Sequence, residues 1–191
     1  MSRSLALAPD GVFRSIQGEG QLLGEPMVFV RLAGCSLNCP QCDTDYSVAE
    51  RVSVAEVVKR INLVHPTDRV WITGGEPTDQ PALGRLTNIL DIAYRDVAIA
   101  TNGAKGGPFG GHWRSVTYHG GYPLVMDRGD ELKIVDGLNG YVLADPGGTF
   151  KHRFVQPLWG DEGSAARCTQ FVLENPGWRL GVQAHKSWGL A

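Results

Sequence analysis

Short apolar runs alternate with amphipathic stretches along most of the chain of 191 residues. The clearest run, residues 26–32, is apolar except for Arg31 and predicts a buried strand. The same pattern predicts further strands at 12–16, 69–73, 97–100, 115–117 and 130–135, and helices at 54–64 and 83–94. Strands that alternate with helices form a parallel sheet, in which functional groups lie at the carboxyl ends of the strands.

The composition is that of an ordinary globular protein, with 42% hydrophobic and 20% charged residues. The length suits one domain, residues 1–191. A net charge of −2 gives no reason to expect nucleic acid as a direct substrate. No apolar run approaches the ~20 residues of a membrane span. The apolar run within residues 1–9 is too short for a signal peptide. Clustered thiols favour the reducing cytoplasm.

Cys35, Cys39 and Cys42 form the pattern C-x3-C-x2-C. Structural zinc sites prefer four ligands, and disulfide frameworks use an even number of cysteines spread along the chain, so three clustered cysteines suit neither. A [4Fe–4S] cluster held by three thiolates fits better, because one of its irons keeps an open coordination position. The pattern resembles that of the radical S-adenosylmethionine superfamily, in which the open iron binds S-adenosylmethionine. A zinc knuckle completed by Cys168 or a histidine is the alternative. Cys168 on its own is more typical of a small buried apolar residue.

Three segments, 15–20, 29–35 and 39–44, resemble those of the 7-carboxy-7-deazaguanine synthase family. The resemblance implies a radical S-adenosylmethionine enzyme that converts 6-carboxy-5,6,7,8-tetrahydropterin to 7-carboxy-7-deazaguanine with loss of ammonia, in the pathway to queuosine and other 7-deazapurines. It implies a partial, open (β/α) barrel of the radical S-adenosylmethionine type. The barrel must be shortened, because a complete one needs ~250 residues.

The resemblance also implies which residues bind the pterin. Glu19 and Gln17 would read its amide and amino edge, and Arg31 would clamp its carboxylate. From the sequence alone, the anionic partner of Arg31 is either a structural carboxylate or that of the substrate. The resemblance to the family resumes near the C-terminus, where its members end in a strand with a Gln-x-His-Lys element, residues 183–186 here. The remaining substrate contacts implied are Ile16, Gly18, Thr73, His185 and the terminal carboxylate of Ala191.

Two further ligands follow from the resemblance. Thr44 would bind Mg²⁺, for which oxygen ligands are suitable, and would join the three cysteines as a catalytic residue. Its alternative is a helix N-cap, although Ser53 and Glu56 themselves form a capping box. The contacts implied for S-adenosylmethionine are Gly75 and Glu76 of the Gly-Gly-Glu-Pro element, with Gln41, Asp43, Asn102, Thr117 and Gln156.

The match is weaker between residue 103 and the C-terminus. Thr117-Tyr118-His119 departs from the Ser-Pro-Lys turn that the family often carries, and Lys133 is as well explained by a solvated strand position as by a functional one. The family implies a flavodoxin as electron donor and a homodimer. Two other functions remain open: an activase that makes a glycyl radical in a partner enzyme, and a zinc-binding interaction module.

Overall fold

The computed structural model describes residues 4–64, 69–93 and 96–190, which contain nine strands and four α-helices. The strands are β1 (Ser4–Ile16), β2 (Pro26–Leu32), β3 (Glu50–Ser53), β4 (Arg69–Gly74), β5 (Asp96–Thr101), β6 (Trp113–Tyr118), β7 (Arg128–Val135), β8 (Thr149–Gln156) and β9 (Arg179–Leu180). The helices are α1 (Val54–Val64), α2 (Leu83–Ala93), α3 (Ser164–Glu174) and α4 (Ala184–Trp188).

The described residues group into two compact units. The first unit consists of residues 4–15, 26–64, 69–93, 96–101 and 107–114, and the second unit of 16–25, 102–106 and 115–190. Each unit has its own run of strands. The assignment of the whole chain to one domain stays a prediction.

The first unit is a sheet in the order β3-β1-β2-β4-β5, in which β2, β4 and β5 are parallel and β3 is antiparallel to β1. The apolar faces of α1 and α2 join the strands in one core, because their buried side chains recur at helical spacing. Each fully buried aliphatic side chain contributes about 1.5–3 kcal/mol. The core includes Val28, Val30, Val70, Ile72 and Ile99 from the strands and Val57, Ile61, Leu86 and Leu90 from the helices.

The second unit carries the parallel strands β6, β7, β8 and β9 in that order. Helix α3 packs on β8 and β9 and buries Cys168 completely. Since the four strands are parallel, their carboxyl ends meet at one edge, where Tyr118, Val135 and Gln156 lie. Helix α4 follows β9 directly in the chain.

Most predicted elements are confirmed, but strands β3 and β8 had no sequence prediction, and three further differences follow. Strand β1 begins at Ser4, eight residues before the predicted strand. Near the C-terminus, the strand is only two residues long, and the Gln-x-His-Lys element starts α4. Helix α3 lacked a sequence prediction, and the predicted end of α2 at Tyr94 lies outside the described residues. None of the described helices has the length and apolar content to cross a membrane.

Candidate active site

The three clustered cysteines lie in the cysteine loop, residues 34–49, which connects β2 to β3. The loop leaves β2 at Gly34, whose φ of 81° suits glycine because it has no Cβ. The Gly34 N–H donates to the carbonyl of Tyr46 (2.8 Å), and the Tyr46 hydroxyl donates to Asn38 Oδ1 (2.7 Å). These bonds close the loop, and none of its three cysteines is in a disulfide.

The thiols act on one another electrostatically. Desolvation by the surrounding loop raises the pKa of the Cys42 thiol, the hydrogen bond with the Thr44 backbone lowers it, and the nearby Asp43, Cys35 and Cys39 raise it further. A bound cation removes this penalty, because coordination deprotonates a thiol. The donor set therefore fits an iron–sulfur cluster, in which each thiolate binds a different iron. Across the described ranges, no three His, Cys, Asp or Glu side chains converge closely enough to hold a single metal ion.

The Gly-Gly-Glu-Pro element packs directly on the start of the cysteine loop. The Gly75 N–H donates to the Leu32 carbonyl and the Glu76 N–H to the Gly34 carbonyl, both at 2.8 Å. A Cβ built on Gly75 would overlap the Gly34 carbonyl oxygen, so the two backbones approach this closely only because residue 75 is glycine. The element thus fixes where the cysteine loop begins.

The carboxylate of Glu76 accepts hydrogen bonds from other residues of the protein. Only 1% of Glu76 is exposed, and Oε1 accepts from Thr78 N (2.9 Å), Thr78 Oγ1 (2.7 Å) and Thr101 Oγ1 (2.7 Å). These bonds cap the 3₁₀ turn Pro77–Asp79. From that turn, Asp79 accepts hydrogen bonds from the Ser36 backbone (2.8 Å) and hydroxyl (3.2 Å) in the cysteine loop. The contact of Glu76 with S-adenosylmethionine stays a prediction.

Arg31 and Thr73 are neighbours in the register of β2 and β4. The Arg31 guanidinium forms an ion pair with Asp10 and lies 5.1 Å from the centroid of the Phe13 ring. Phe13 in turn stacks on Phe29. Of the two anionic partners left open by the sequence, the structure therefore contains the structural one, Asp10. Asp10 was not singled out from the sequence, because a carboxylate 21 positions away gives no local signal.

Thr44 lies in an irregular part of the cysteine loop, half-buried between the exposed residues Asp43 and Asp45. It precedes α1 by ten residues, and Ser53 caps that helix by accepting from Glu56 N (3.1 Å). The interpretation of Thr44 as a helix cap is therefore wrong. Its binding of Mg²⁺ stays a prediction, as do the contacts of the exposed Gln41 and Asp43 with S-adenosylmethionine.

The second unit places four polar side chains around Glu19, three on its carboxylate and one on its backbone N–H. Glu19 forms an ion pair with Lys133 and accepts hydrogen bonds from Gln183 Nε2 (3.1 Å) and Gln156 Nε2 (3.4 Å). Gln17 joins them, since its Oε1 accepts from the Glu19 N–H (3.1 Å). We call these five residues the Glu19 group. Gln183 had no predicted role of its own, and the Gln-x-His-Lys element that contains it is the sequence signal that could have identified it.

The environment of the Glu19 group determines the protonation states of its ionisable side chains. Burial alone would raise the pKa of Glu19, but the Lys133 ammonium and the hydrogen bonds from Lys133 and Gln183 hold it at about 2. Only 7% of Lys133 is exposed, so its interpretation as a solvated residue is wrong. Burial, and then the Lys133 charge, lower the pKa of the neighbouring His119 to about 4. Near neutral pH the site thus holds a carboxylate, an ammonium and a neutral imidazole.

Two amide atoms of the Glu19 group have no hydrogen-bond partner among the described residues: Gln17 Nε2 and Gln156 Oε1. Both side chains belong to buried residues, 5% and 3% exposed. A buried polar atom without a partner costs about 1–3 kcal/mol. Since native proteins rarely leave such atoms unpaired, the two atoms are positions that a polar ligand or an ordered water can pair with.

The start of α4 packs on the turn that carries Glu19. The Ala184 N–H donates to the Gly18 carbonyl (2.9 Å), and a Cβ on Gly18 would overlap the imidazole of His185. Gly18 and His185, both predicted substrate contacts, therefore touch. Ile16, at the end of β1, is 39% exposed. Ala191, the other predicted contact at the C-terminus, lies outside the described residues.

The remaining predicted contacts of S-adenosylmethionine differ in their surroundings. Asn102 Oδ1 accepts from the Ala104 N–H (2.9 Å), and Thr117 pairs in register with Lys133. Gln156 was predicted beside the adenosine, but in the structure its amide contacts Glu19. Cys168 is fully buried in α3, and burial raises its pKa to about 11, as for an inert structural thiol.

Comparisons with known proteins agree on one family. Residues 29–107 match the model of the radical SAM superfamily. The 7-carboxy-7-deazaguanine synthase of Bordetella pertussis is 33% identical over 97% of this chain and 100% of its own length. That of Bacteroides thetaiotaomicron is 33% identical over 92% of this chain and 93% of its own.

A solved structure supports the fold. QueE from Escherichia coli superposes with a TM-score of 0.73 at 23% identity, over 95% of both chains. The predicted partial, open α/β barrel is thereby confirmed. With relatives this similar over nearly their whole length, the chain belongs to the 7-carboxy-7-deazaguanine synthase family of the radical S-adenosylmethionine superfamily.

Proposed function

We propose that this chain converts 6-carboxy-5,6,7,8-tetrahydropterin to 7-carboxy-7-deazaguanine with loss of ammonia. The observation that carries the proposal is the Glu19 group, a buried ionised carboxylate with unpaired amides beside it. A pterin presents N–H donors on its pyrimidine edge, which a carboxylate accepts. The names of the curated relatives supply the product, and the resemblance to the family supplies the substrate and the loss of ammonia.

Radical generation is assigned to the cysteine loop, with Cys35, Cys39 and Cys42 as ligands of a [4Fe–4S] cluster. When bound, the cluster supplies the electron that cleaves S-adenosylmethionine to a 5′-deoxyadenosyl radical. The chain's own contribution is to hold the loop, through the close approach of Gly75 to Gly34 and the bonds from Ser36 to Asp79. We assign S-adenosylmethionine contacts to Gln41, Asp43, Gly75, Glu76, Asn102 and Thr117.

Substrate recognition is assigned first to Glu19 and Arg31. Lys133 keeps Glu19 ionised, so Glu19 accepts hydrogen bonds and never donates one near neutral pH. Arg31 is the clamp for the substrate carboxylate. Asp10 and Phe13 hold its guanidinium plane in one orientation, which lowers the entropy lost when it binds a carboxylate. Further substrate contacts are Ile16, Gln17, Gly18, Thr73, His185 and Ala191.

We also propose that the Thr44 hydroxyl would hold Mg²⁺, which would help to orient the substrate carboxylate. Mg²⁺ prefers oxygen ligands and commonly bridges a protein to its substrate. The resemblance to the family supports this, as it supports a flavodoxin as electron donor and a homodimer. Cysteines that lie outside disulfides support a reducing compartment such as the cytoplasm.

Two alternatives were left open by the sequence. The synthase relatives match this chain over more than nine-tenths of its length, which favours the synthase over a glycyl-radical activase. The colour of the reconstituted protein distinguishes an iron–sulfur enzyme from a zinc-binding module. Anaerobically reconstituted protein should be brown and absorb near 400 nm, and Cys35→Ala, Cys39→Ala and Cys42→Ala variants should not.

The test of the proposal is an anaerobic assay of the reconstituted protein. It contains dithionite, S-adenosylmethionine, Mg²⁺ and 6-carboxytetrahydropterin, and products are identified by mass spectrometry. The proposal expects 7-carboxy-7-deazaguanine. If 5′-deoxyadenosine forms without it, the radical chemistry stands and the substrate assignment is wrong. If neither forms in protein with an intact cluster, the enzymatic assignment is wrong.

A further inference from the structure

We propose that the side chain of Gln156 is a specificity-determining residue that accepts a hydrogen bond from the 2-amino group of the pterin. This inference rests on the proposed function. It assigns the Gln156 side chain to the substrate, whereas the family resemblance implied a contact with S-adenosylmethionine. The reason lies in the hydrogen bonds of the Glu19 group, all of whose members belong to the second unit.

The orientation of both buried amides is set by Glu19. The Glu19 N–H is a donor, so the Gln17 atom that meets it at 3.1 Å must be the oxygen. The Glu19 carboxylate is an acceptor, so the Gln156 atom at 3.4 Å must be the nitrogen. A donor, Gln17 Nε2, and an acceptor, Gln156 Oε1, are therefore the atoms left over.

Glu19 adds a second acceptor. An ionised carboxylate offers about four lone-pair sites. Lys133, Gln183 and Gln156 occupy three of them, and 18% of the Glu19 side chain is exposed. The Glu19 group thus offers a ligand one donor and two acceptors.

A pterin presents the complementary set on its pyrimidine edge: the 4-oxo group accepts, and N3–H and the 2-amino group donate. Gln17 Nε2 matches the 4-oxo group and Glu19 matches N3–H. Gln156 Oε1 then matches the 2-amino group, the one feature that separates a pterin from its 2-oxo counterpart, a lumazine. With a lumazine, two acceptors would meet at Gln156. Binding sites with buried polar groups reject ligands that leave those groups unpaired.

The experiment uses reconstituted protein with S-adenosylmethionine and Mg²⁺ under anaerobic conditions and without a reductant, so that nothing turns over. Dissociation constants of 6-carboxypterin, 6-carboxylumazine and S-adenosylmethionine are measured by calorimetry. The test variant is Gln156→Met, of similar size but without the amide. The matched control is Gln170→Met, the same change at an exposed position of α3. Gln156→Asn, which withdraws the amide by one methylene, serves if Gln156→Met does not fold.

We expect the wild type and Gln170→Met to prefer the pterin over the lumazine by roughly tenfold to hundredfold. Gln156→Met should weaken pterin binding by roughly tenfold and leave lumazine binding unchanged or tighter, so the preference largely disappears. The proposal is overturned if Gln156→Met keeps the preference, or if it weakens only S-adenosylmethionine. If the wild type binds 6-carboxypterin with no preference over 6-carboxylumazine but forms 7-carboxy-7-deazaguanine in the separate turnover assay with dithionite, this inference is overturned and the proposed function stands. If the wild type neither binds 6-carboxypterin here nor converts 6-carboxytetrahydropterin in that assay, both are overturned.

Discussion

The cysteine loop of the first unit and the Glu19 group of the second unit are built in opposite ways. The loop takes its three thiols from eight consecutive positions, and Cys42 among them is exposed. The Glu19 group draws Lys133, Gln156 and Gln183 from 114, 137 and 164 positions away, and packs them against one carboxylate. A cluster supplies its own charge and binding energy, whereas a recognition site must obtain its charge from the fold.

This difference implies that changes in the two regions have different consequences. In the cysteine loop, the loss of a ligand should abolish the chemistry at little cost to the fold. In the Glu19 group, the loss of a partner should destabilise the fold as well, because it leaves a buried group unpaired. The predictions below test this contrast.

The largest effect is expected for Cys42→Ser. It should reduce the iron bound per chain sharply and abolish formation of 5′-deoxyadenosine, while the urea midpoint stays close to that of the wild type because Cys42 is exposed. Cys168→Ala is the control, since Cys168 is buried in α3. It should keep its iron. Loss of iron in Cys168→Ala and not in Cys42→Ser would contradict the assignment of ligands.

Lys133→Met should lower the free energy of unfolding by about 3–5 kcal/mol, because it leaves Glu19 buried without a counter-charge. Glu19→Gln combined with Lys133→Met removes both charges and should restore part of that loss. Urea unfolding of the two single variants and the double variant measures the coupling. Additive losses would show that the ion pair does not hold the Glu19 group together.

Gly75→Ala should cost about 3 kcal/mol, because its Cβ would overlap the Gly34 carbonyl, which is backbone and cannot rotate away. It should also lower the iron content, since the cysteine loop begins there. Gly107→Ala is the matched control, because a Cβ there would meet only the Phe109 ring at 3.6 Å. Equal stability and iron content of the two variants would contradict the proposed packing.

The smallest effect concerns His119, whose pKa of about 4 lies below the usual 6.5. The unfolded chain then binds more protons than the folded one, so stability is complete above pH 6.5 and is lost as the pH falls towards 4. At pH 5 the loss from His119 is about 2 kcal/mol. The decrease in urea stability between pH 7 and pH 5 should therefore be smaller in His119→Gln by that amount. The same decrease in both proteins would show that His119 is not buried as a neutral imidazole.

The sequence predicted the cysteine loop and the strands around it well, because both depend on local patterns. Residues 26–32 form β2 as predicted, and α1 covers residues 54–64. The Glu19 group was predicted only in part. Glu19 and Gln17 were identified through the family resemblance. The lysine that neutralises Glu19 could not be identified, because the position of Lys133 depends on the register of β7, which no local sequence pattern encodes.

The central claim is that the Glu19 group recognises the pterin and the cysteine loop generates the radical. The most direct test is the reconstituted Glu19→Gln variant, assayed anaerobically with dithionite, S-adenosylmethionine, Mg²⁺ and 6-carboxytetrahydropterin. We predict that it keeps the iron content of the wild type and still forms 5′-deoxyadenosine, while 7-carboxy-7-deazaguanine falls by a hundredfold or more, on the order of a lost charged hydrogen bond and an unpaired partner. Undiminished formation of 7-carboxy-7-deazaguanine would contradict the claim.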